Sequence, residues 1–138
     1  MQVDESTARG QREVVVVDDD FAVTSSLKFS LEIEGFKVQT YHSGRELLAA
    51  DSLPPYGCLV IDFSMPDMDG MELVNRLRND HCALPVILVT SHPNAALRRR
   101  ASAAGVILVE KPLLSNALVE AINCALTDQV CARSSGTE

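Results

Sequence analysis

The stretch VVVVDDDF, Val14 to Phe21, runs four valines directly into three aspartates. Four consecutive β-branched residues favour a strand that is covered on both faces, because a strand with one face in water alternates apolar and polar residues. Such strands belong to parallel sheets, in which functional groups lie at the carboxyl ends of the strands. The position of Asp18, Asp19 and Asp20 directly after the valines therefore predicts a functional site at the end of a buried strand.

Four more apolar runs follow at regular intervals along the chain. They read FKVQTY, CLVID, PVILVT and VILVE, and they begin at Phe36, Cys58, Pro85 and Val106. Counted from Val14, the starts are separated by 22, 22, 27 and 21 residues, which is room for one helix and two short loops between parallel strands. Five strands are too few to close a barrel of eight, so the repeat predicts an open α/β sheet with right-handed crossovers.

Each interval carries the periodicity of an amphipathic helix. The five predicted helix faces are marked by Val23, Leu27 and Leu31; by Leu47 and Leu48 after a capping-box spacing at Ser43 and Glu46; by Leu73, Val74 and Leu77; by Ala96, Leu97, Ala101 and Ala104; and by Leu114, Leu118, Ala121, Ile122 and Ala125. Gly35 and Gly105 are expected to end the first and fourth helices. Residues 1–12 and 128–138 lack periodicity, so we predict a flexible N-terminal tail and a C-terminal tail or linker around a domain at 13–127.

Composition narrows the classes of function. A chain of 138 residues that is 46% hydrophobic forms one compact domain and not two. A net charge of -7 argues against direct nucleic-acid binding, and no apolar run approaches a membrane span of about 18 residues. With no apolar leader segment and no C-x-x-C pair among Cys58, Cys82, Cys124 and Cys131, the expectation is a cytoplasmic protein with reduced thiols and no membrane contact.

Polar residues end or follow four of the predicted strands. Asp18 and Asp19 follow the first strand, Asp62 ends the third, Thr90 ends the fourth, and Lys111 follows the fifth. We expect these side chains to share one crevice, where closely spaced carboxylates repel each other. Mg²⁺ relieves that repulsion and leaves room for a phosphoryl oxygen, which Lys111 and the Thr90 hydroxyl can bind. The chemistry indicated is phosphoryl transfer to a carboxylate.

The ordered set VVDDD, LVIDFSMPDMDG, PVILVTS and VEKP, over residues 13 to about 127, resembles the receiver domain of two-component response regulators. The resemblance implies a doubly wound, flavodoxin-like three-layer fold with strand order 2-1-3-4-5, and that order comes from the family and not from the spacing. It also implies phosphorelay signal transduction, in which a sensor histidine kinase or phosphotransfer protein supplies the phosphoryl group and the receiver switches conformation to control an output. No separate substrate is expected to turn over, only the receiver's own phosphorylation and dephosphorylation.

The resemblance assigns a role to each matching position. Asp62 matches the phosphoacceptor, which also binds the metal. Asp19 matches a direct Mg²⁺ ligand and Asp18 a ligand that acts through water, while Ser64 falls where the family uses a backbone carbonyl for the metal. Thr90 matches the hydroxyl that moves on phosphorylation.

Lys111 matches the phosphate-binding lysine, and its bond to Pro112 is cis in the family. The family's switch aromatic lies three residues before this lysine, where the chain has Leu108. Leucine has no ring to rotate inward, so a muted or different side-chain switch is expected. The resemblance further implies a face formed by the fourth helix, fifth strand and fifth helix, through which receivers form homodimers or bind output partners. The sequence is compatible both with a single-domain regulator and with the receiver of a longer protein.

Two alternative functions, each from another class of protein, are also considered. A haloacid-dehalogenase-like phosphatase would use Asp18 as its nucleophile in a D-x-D-x-T motif, but Ala22 occupies the last position and no acidic pair follows Lys111. A receiver-like interaction module that is never phosphorylated is less favoured, because the acceptor, lysine and hydroxyl positions are all filled. Calcium is rejected, since the register of DMDG would need carboxylates where Met65 and Arg76 stand. The remaining acids of these motifs, Asp20, Asp67 and Asp69, are interpreted as turn formers or helix caps.

Overall fold

Five strands alternate with five helices in the computed structural model, which describes residues 12–50, 53–111 and 116–135, with backbone alone for 128–135. The elements are β1 Glu13–Val17, α1 Phe21–Ile33, β2 Lys37–Tyr41, α2 Gly44–Leu48, β3 Cys58–Asp62, α3 Gly70–Asn79, β4 Val86–Thr90, α4 Ala95–Ala103, β5 Ile107–Glu110 and α5 Ala117–Ser135. The predicted alternation is confirmed. Within the described ranges, no helix is long and apolar enough to cross a membrane.

The strands form one parallel sheet in the order β2-β1-β3-β4-β5. The predicted doubly wound topology is therefore confirmed. The chain first moves outward from β1 to β2 and then returns to place β3 on the other side of β1. This reversal of strand order lies between β1 and β3, and open α/β sheets bind their ligands at such a point.

The valine run of β1 is buried because helices cover both faces of the sheet. Val15 and Val17 pack in a core cluster with side chains of α2, α3 and α4. Val14 and Val16 pack in a second cluster with side chains of α1 and α5. All four valines are at most 1% exposed, since successive side chains of a strand point to opposite faces. The result is the predicted three-layer arrangement.

Side-chain caps set where the helices begin. Asp20 accepts hydrogen bonds from the first N–H groups of α1, and Asp69 accepts one from the Glu72 N–H in the first turn of α3. Both residues are helix caps, as predicted. Gly35 and Gly105 lie two residues after the last residues of α1 and α4 and have φ values of +100° and +70°, which is the conformation that a helix-terminating glycine supplies.

The described structure extends beyond the predicted tail boundaries at both ends. The last helix continues past 127 to Ser135, because residues 128–135 contain no glycine or proline that would stop a helix. Arg12, assigned to the N-terminal tail, belongs to the folded part: its carbonyl accepts the Lys37 N–H and its guanidinium donates to Asn123. Residues 1–11 and 136–138, together with Leu114 and the peptide bond to Pro112, lie outside the described residues, so the division into domain and tails stays a prediction.

Candidate active site

The carboxyl edge of the sheet brings the predicted acidic residues together at the reversal of strand order. Asp18 follows β1 and Asp62 is the last residue of β3. One carboxylate oxygen from each of Asp18, Asp19 and Asp62 lies within 4.8 Å of the others. These three residues and Lys111 are called the acidic pocket below.

Lys111 connects two carboxylates of the acidic pocket. Its ammonium nitrogen Nζ lies 2.8 Å from Oδ1 of Asp62 and 3.8 Å from Oδ2 of Asp18. The backbone fixes the base of this side chain, because the Lys111 N–H donates to the Thr90 carbonyl at 2.8 Å. The buried Thr90 hydroxyl accepts the N–H of His92 at 3.2 Å. The structure thus places Thr90 at the edge of the pocket, on β4, which lies between β3 and β5.

The pocket holds more negative charge than Lys111 neutralises. Burial raises the pKa of Asp18 and of Asp62, and the opposing effect of Lys111 does not reverse either shift. Burial lowers the pKa of Lys111, but the hydrogen bond to Asp62 and the charges of the three aspartates outweigh it, so the pKa is raised overall. The aspartate pKa values are raised chiefly by burial of the carboxylates, whereas the Lys111 pKa is raised by the hydrogen bond and the charges of the aspartates around it.

A glycine lets α3 start close to Asp62. The Gly70 N–H donates to the Phe63 carbonyl at 2.8 Å. A Cβ atom at position 70 would lie 2.9 Å from the Asp62 carbonyl oxygen and 3.0 Å from the Phe63 Cα, which is too close for any other residue without a backbone shift. The glycine of the DMDG sequence therefore belongs to the support of the pocket.

Comparison with known proteins agrees with this geometry. The family model described as "Response regulator receiver domain" matches residues 14–123. This chain is a response regulator receiver domain. It functions in two-component signalling, a class whose receivers interact with histidine kinases or phosphotransfer proteins.

Curated relatives and a solved structure cover most of the receiver. It is 37% identical over 117 residues to the C4-dicarboxylate transport transcriptional regulatory protein DctD of Pseudomonas aeruginosa, covering 84% of this chain and 25% of DctD. It is 35% identical over 122 residues to FixJ of Rhizobium meliloti, covering 88% of this chain and 60% of FixJ. The crystal structure of FixJ-N superposes with a TM-score of 0.76 at 35% identity, covering 85% of this chain and 94% of FixJ-N. The receiver thus spans only part of the length of these curated relatives.

The phosphatase alternative is not favoured. Its motif would make Asp20 the second catalytic acid, but Asp20 Oδ1 accepts the N–H groups of Ala22 and Val23 and caps α1. The receiver-domain match covers residues 14–123, which include Asp62, whereas the phosphatase hypothesis gives Asp62 no role.

The acidic pocket of the receiver fits a divalent cation such as Mg²⁺. Its donors are carboxylate oxygens, which are hard ligands, and their combined charge exceeds that of the one ammonium. Asp18 and Asp62 are buried, whereas Asp19 is exposed, so the site opens to water on one side. Mg²⁺ usually retains several waters and shares its site with a phosphoryl oxygen, which matches such an incomplete cage.

Sequence reasoning missed two contacts beside the pocket of the receiver. Asp67, interpreted as a turn former or helix cap, accepts an N–H from Arg45 on α2, at a separation of 22 residues. His42, which carried no recognisable pattern, stacks on Phe21 with ring centroids 3.9 Å apart. Local motifs predict contacts within an element or its cap, so neither of these contacts, each between a loop residue and a distant helix, could be predicted from residue spacing.

Proposed function

We propose that Asp62 accepts a phosphoryl group from a phosphohistidine of a sensor kinase or phosphotransfer protein. The observation that supports this most directly is the 2.8 Å contact of Lys111 Nζ with Oδ1 of Asp62, within 4.8 Å reach of the Asp18 and Asp19 carboxylates. A nucleophilic carboxylate, a paired cation and a group of hard oxygen ligands are the components that phosphoryl transfer needs.

In the proposed transfer, an Asp62 carboxylate oxygen attacks phosphorus and forms an O–P bond. The N–P bond of the phosphohistidine breaks, and the ring nitrogen leaves with the electron pair and takes up a proton. Lys111 moves from the carboxylate to a phosphoryl oxygen, and the Thr90 hydroxyl donates a hydrogen bond to another. Attack of water on phosphorus later releases inorganic phosphate and restores the carboxylate, so only the phosphodonor and water are consumed.

We assign the metal ligands on the same basis. Asp19 and Asp62 would bind Mg²⁺ directly, Asp18 through water, and Ser64 through its backbone carbonyl. When bound, the ion neutralises the charge on the phosphoryl oxygens. The Asp18 Oδ1 accepts the Asp20 N–H at 3.0 Å, and this supports the indirect role proposed for Asp18.

Intact mass spectrometry tests the proposed phosphorylation. The protein, incubated with acetyl phosphate and Mg²⁺, should gain the mass of one phosphoryl group, and mild base should remove it because acyl phosphates hydrolyse readily. Chelation of divalent cations before the reaction should prevent the gain. A mass that stays unchanged with acetyl phosphate and with a phosphorylated kinase would instead favour an interaction module that is never phosphorylated.

We propose that the receiver transmits its conformational change to homodimer or output partners through the face formed by α4, β5 and α5. β5 is an edge strand whose apolar residues, Leu108 among them, are only partly buried, and α4 presents exposed arginines at 98–100. Leu108 packs against the core cluster beneath α2, α3 and α4, so a shift of β4 and β5 can reach this face without an aromatic ring. This face would serve for homodimers or output partners.

Amide spectra of the free and beryllofluoride-bound protein test this route. Beryllofluoride bound to the acceptor carboxylate imitates the phosphoryl group. We expect resonance shifts on α4, β5 and the start of α5 as well as in the pocket. Shifts confined to residues around Asp62 would contradict an output through this face.

We propose that the phosphoryl transfer takes place in the cytoplasm. Cys58, Cys82 and Cys124 are unpaired thiols, as expected in a reducing compartment. Burial raises the pKa of the Cys58 thiol to about 12, so this residue is unreactive and serves packing.

A further inference from the structure

The loop that follows Asp62 is tied to α2 by one carboxylate. This β3–α3 loop, residues 63–69, contains both Ser64 and Asp67. The two Asp67 oxygens each accept a backbone N–H from the first residues of α2: Oδ1 from Gly44 at 3.4 Å and Oδ2 from Arg45 at 2.9 Å. The residue therefore fixes the loop to another element, in contrast to Asp69, which caps the helix that follows it.

Packing strengthens the same connection. The Met68 side chain is nearly buried and lies against Gly44, where an added Cβ would approach its Cγ and Sδ to 2.8 Å. Although burial raises the pKa of Asp67, the N–H groups of Arg45, Gly44 and the loop itself outweigh it and hold the pKa below its ordinary value. Asp67 is thus ionised at neutral pH and makes charge-assisted hydrogen bonds.

The start of α2 is also connected, through His42, to the helix that follows Asp18 and Asp19. The Glu46 carboxylate accepts the His42 N–H at 2.6 Å, and the His42 ring stacks on Phe21, the first residue of α1. His42 Nε2 lies 3.1 Å from the hydroxyl of the buried Thr24 on the same helix. The first turn of α2 therefore lies between the two segments that carry the proposed metal ligands.

We propose that Asp67 is a positioning residue of the metal site. It holds the β3–α3 loop, and with it the Ser64 carbonyl, at a fixed distance from Asp18 and Asp19. This inference rests on the proposed function, since it assumes that Ser64 and the acidic pocket bind Mg²⁺. Residues that orient metal ligands from outside the coordination sphere contribute substantially to metal affinity.

The test compares Mg²⁺ binding to the wild-type protein, Asp67→Ala and Asp69→Ala by calorimetric titration. Asp69 is the matched control, because it lies in the same loop, carries the same charge and also accepts a backbone N–H at 2.8 Å, but from Glu72 of α3. Asp67→Ala should weaken Mg²⁺ binding by about tenfold. Asp69→Ala should change it by less than about twofold, since the two variants lose the same charge but only the first loosens the Ser64 loop from α2.

Equal changes of Mg²⁺ affinity in the two variants, or no change in Asp67→Ala, would overturn the proposal. If Asp67→Ala does not fold, Asp67→Asn takes its place, because it retains one acceptor oxygen. A second readout separates positioning from loss of the site: at saturating Mg²⁺, the Asp67 variant should regain a phosphorylation rate near that of the wild type. If the wild-type protein itself binds no Mg²⁺, the proposed function fails; if it binds and Asp67→Ala binds equally well, only the role of Asp67 fails.

Discussion

Asp62→Asn is expected to abolish the phosphoryl adduct that acetyl phosphate and Mg²⁺ produce. An amide of the same shape cannot act as the nucleophile, and in this pocket the proposed acceptor is the carboxylate in direct contact with Lys111. Intact mass should therefore show no gain for this variant. Asp18→Asn serves as the comparison. This variant retains the Asp62 carboxylate, so it should still form the phosphoryl adduct, although more slowly. An adduct that survives in Asp62→Asn and disappears in Asp18→Asn would support the phosphatase alternative.

The same variant allows a control for folding. The folded-state pKa of Asp62 is raised above its ordinary value of 3.8. Between pH 3.8 and the raised pKa, the folded protein binds more protons than the unfolded chain, so its stability falls as pH rises through that window. Asp62→Asn cannot ionise at this position, so it does not lose stability as the pH rises. Without divalent cations, the variant should melt at a higher temperature than the wild type at pH 7, and the difference should shrink below pH 3.8. A lower melting temperature at pH 7 would contradict this interpretation of the pocket's electrostatics.

Lys111→Met should slow phosphorylation by about 10²-fold, the cost of removing one preorganised donor from a charge-stabilising site. The proposed role rests on the contacts of Lys111 Nζ with two carboxylates, at 2.8 Å and 3.8 Å. Phosphorylation rates with acetyl phosphate, measured by mass spectrometry at several times, provide the comparison. Lys28→Met is the control, because Lys28 pairs with Glu32 on the exposed surface of α1.

An unchanged rate in Lys111→Met, or an equal loss in Lys28→Met, would show that Lys111 does not bind the phosphoryl group. Lys111→Arg is expected to restore little of the rate. A planar guanidinium directs its donors differently from the compact ammonium, so the two cations do not substitute for each other in a confined site.

The fold was predictable because one physical pattern determines it. The uninterrupted valines of β1 require cover on both faces of the sheet, and the regular spacing of later apolar runs supplies the helices that provide it. Once the sheet is parallel, the strand ends share one edge. Asp18, Asp62 and Lys111 could therefore be assigned to one site from their positions at strand ends. The strand order was not contained in this pattern and came from the family resemblance.

Other features depend on contacts that spacing does not encode. Asp67 accepts an N–H from Arg45, which lies 22 residues earlier in the chain. An aspartate at this position is equally typical of a local turn, so the sequence does not predict the contact. α5 extends to Ser135 although residues 128–135 lack the apolar periodicity of an amphipathic helix, and they contain no glycine or proline that would end it. The role of Leu108 depends on motion between two states and remains a prediction.

The most direct measurement is the location of the phosphoryl group on the wild-type protein. After reaction with acetyl phosphate and Mg²⁺, borohydride reduces an aspartyl phosphate to homoserine, and peptide mass mapping then identifies the modified position. We predict homoserine at position 62 and at no other aspartate. Homoserine at position 18, or at any position other than 62, would contradict the assignment of the acceptor.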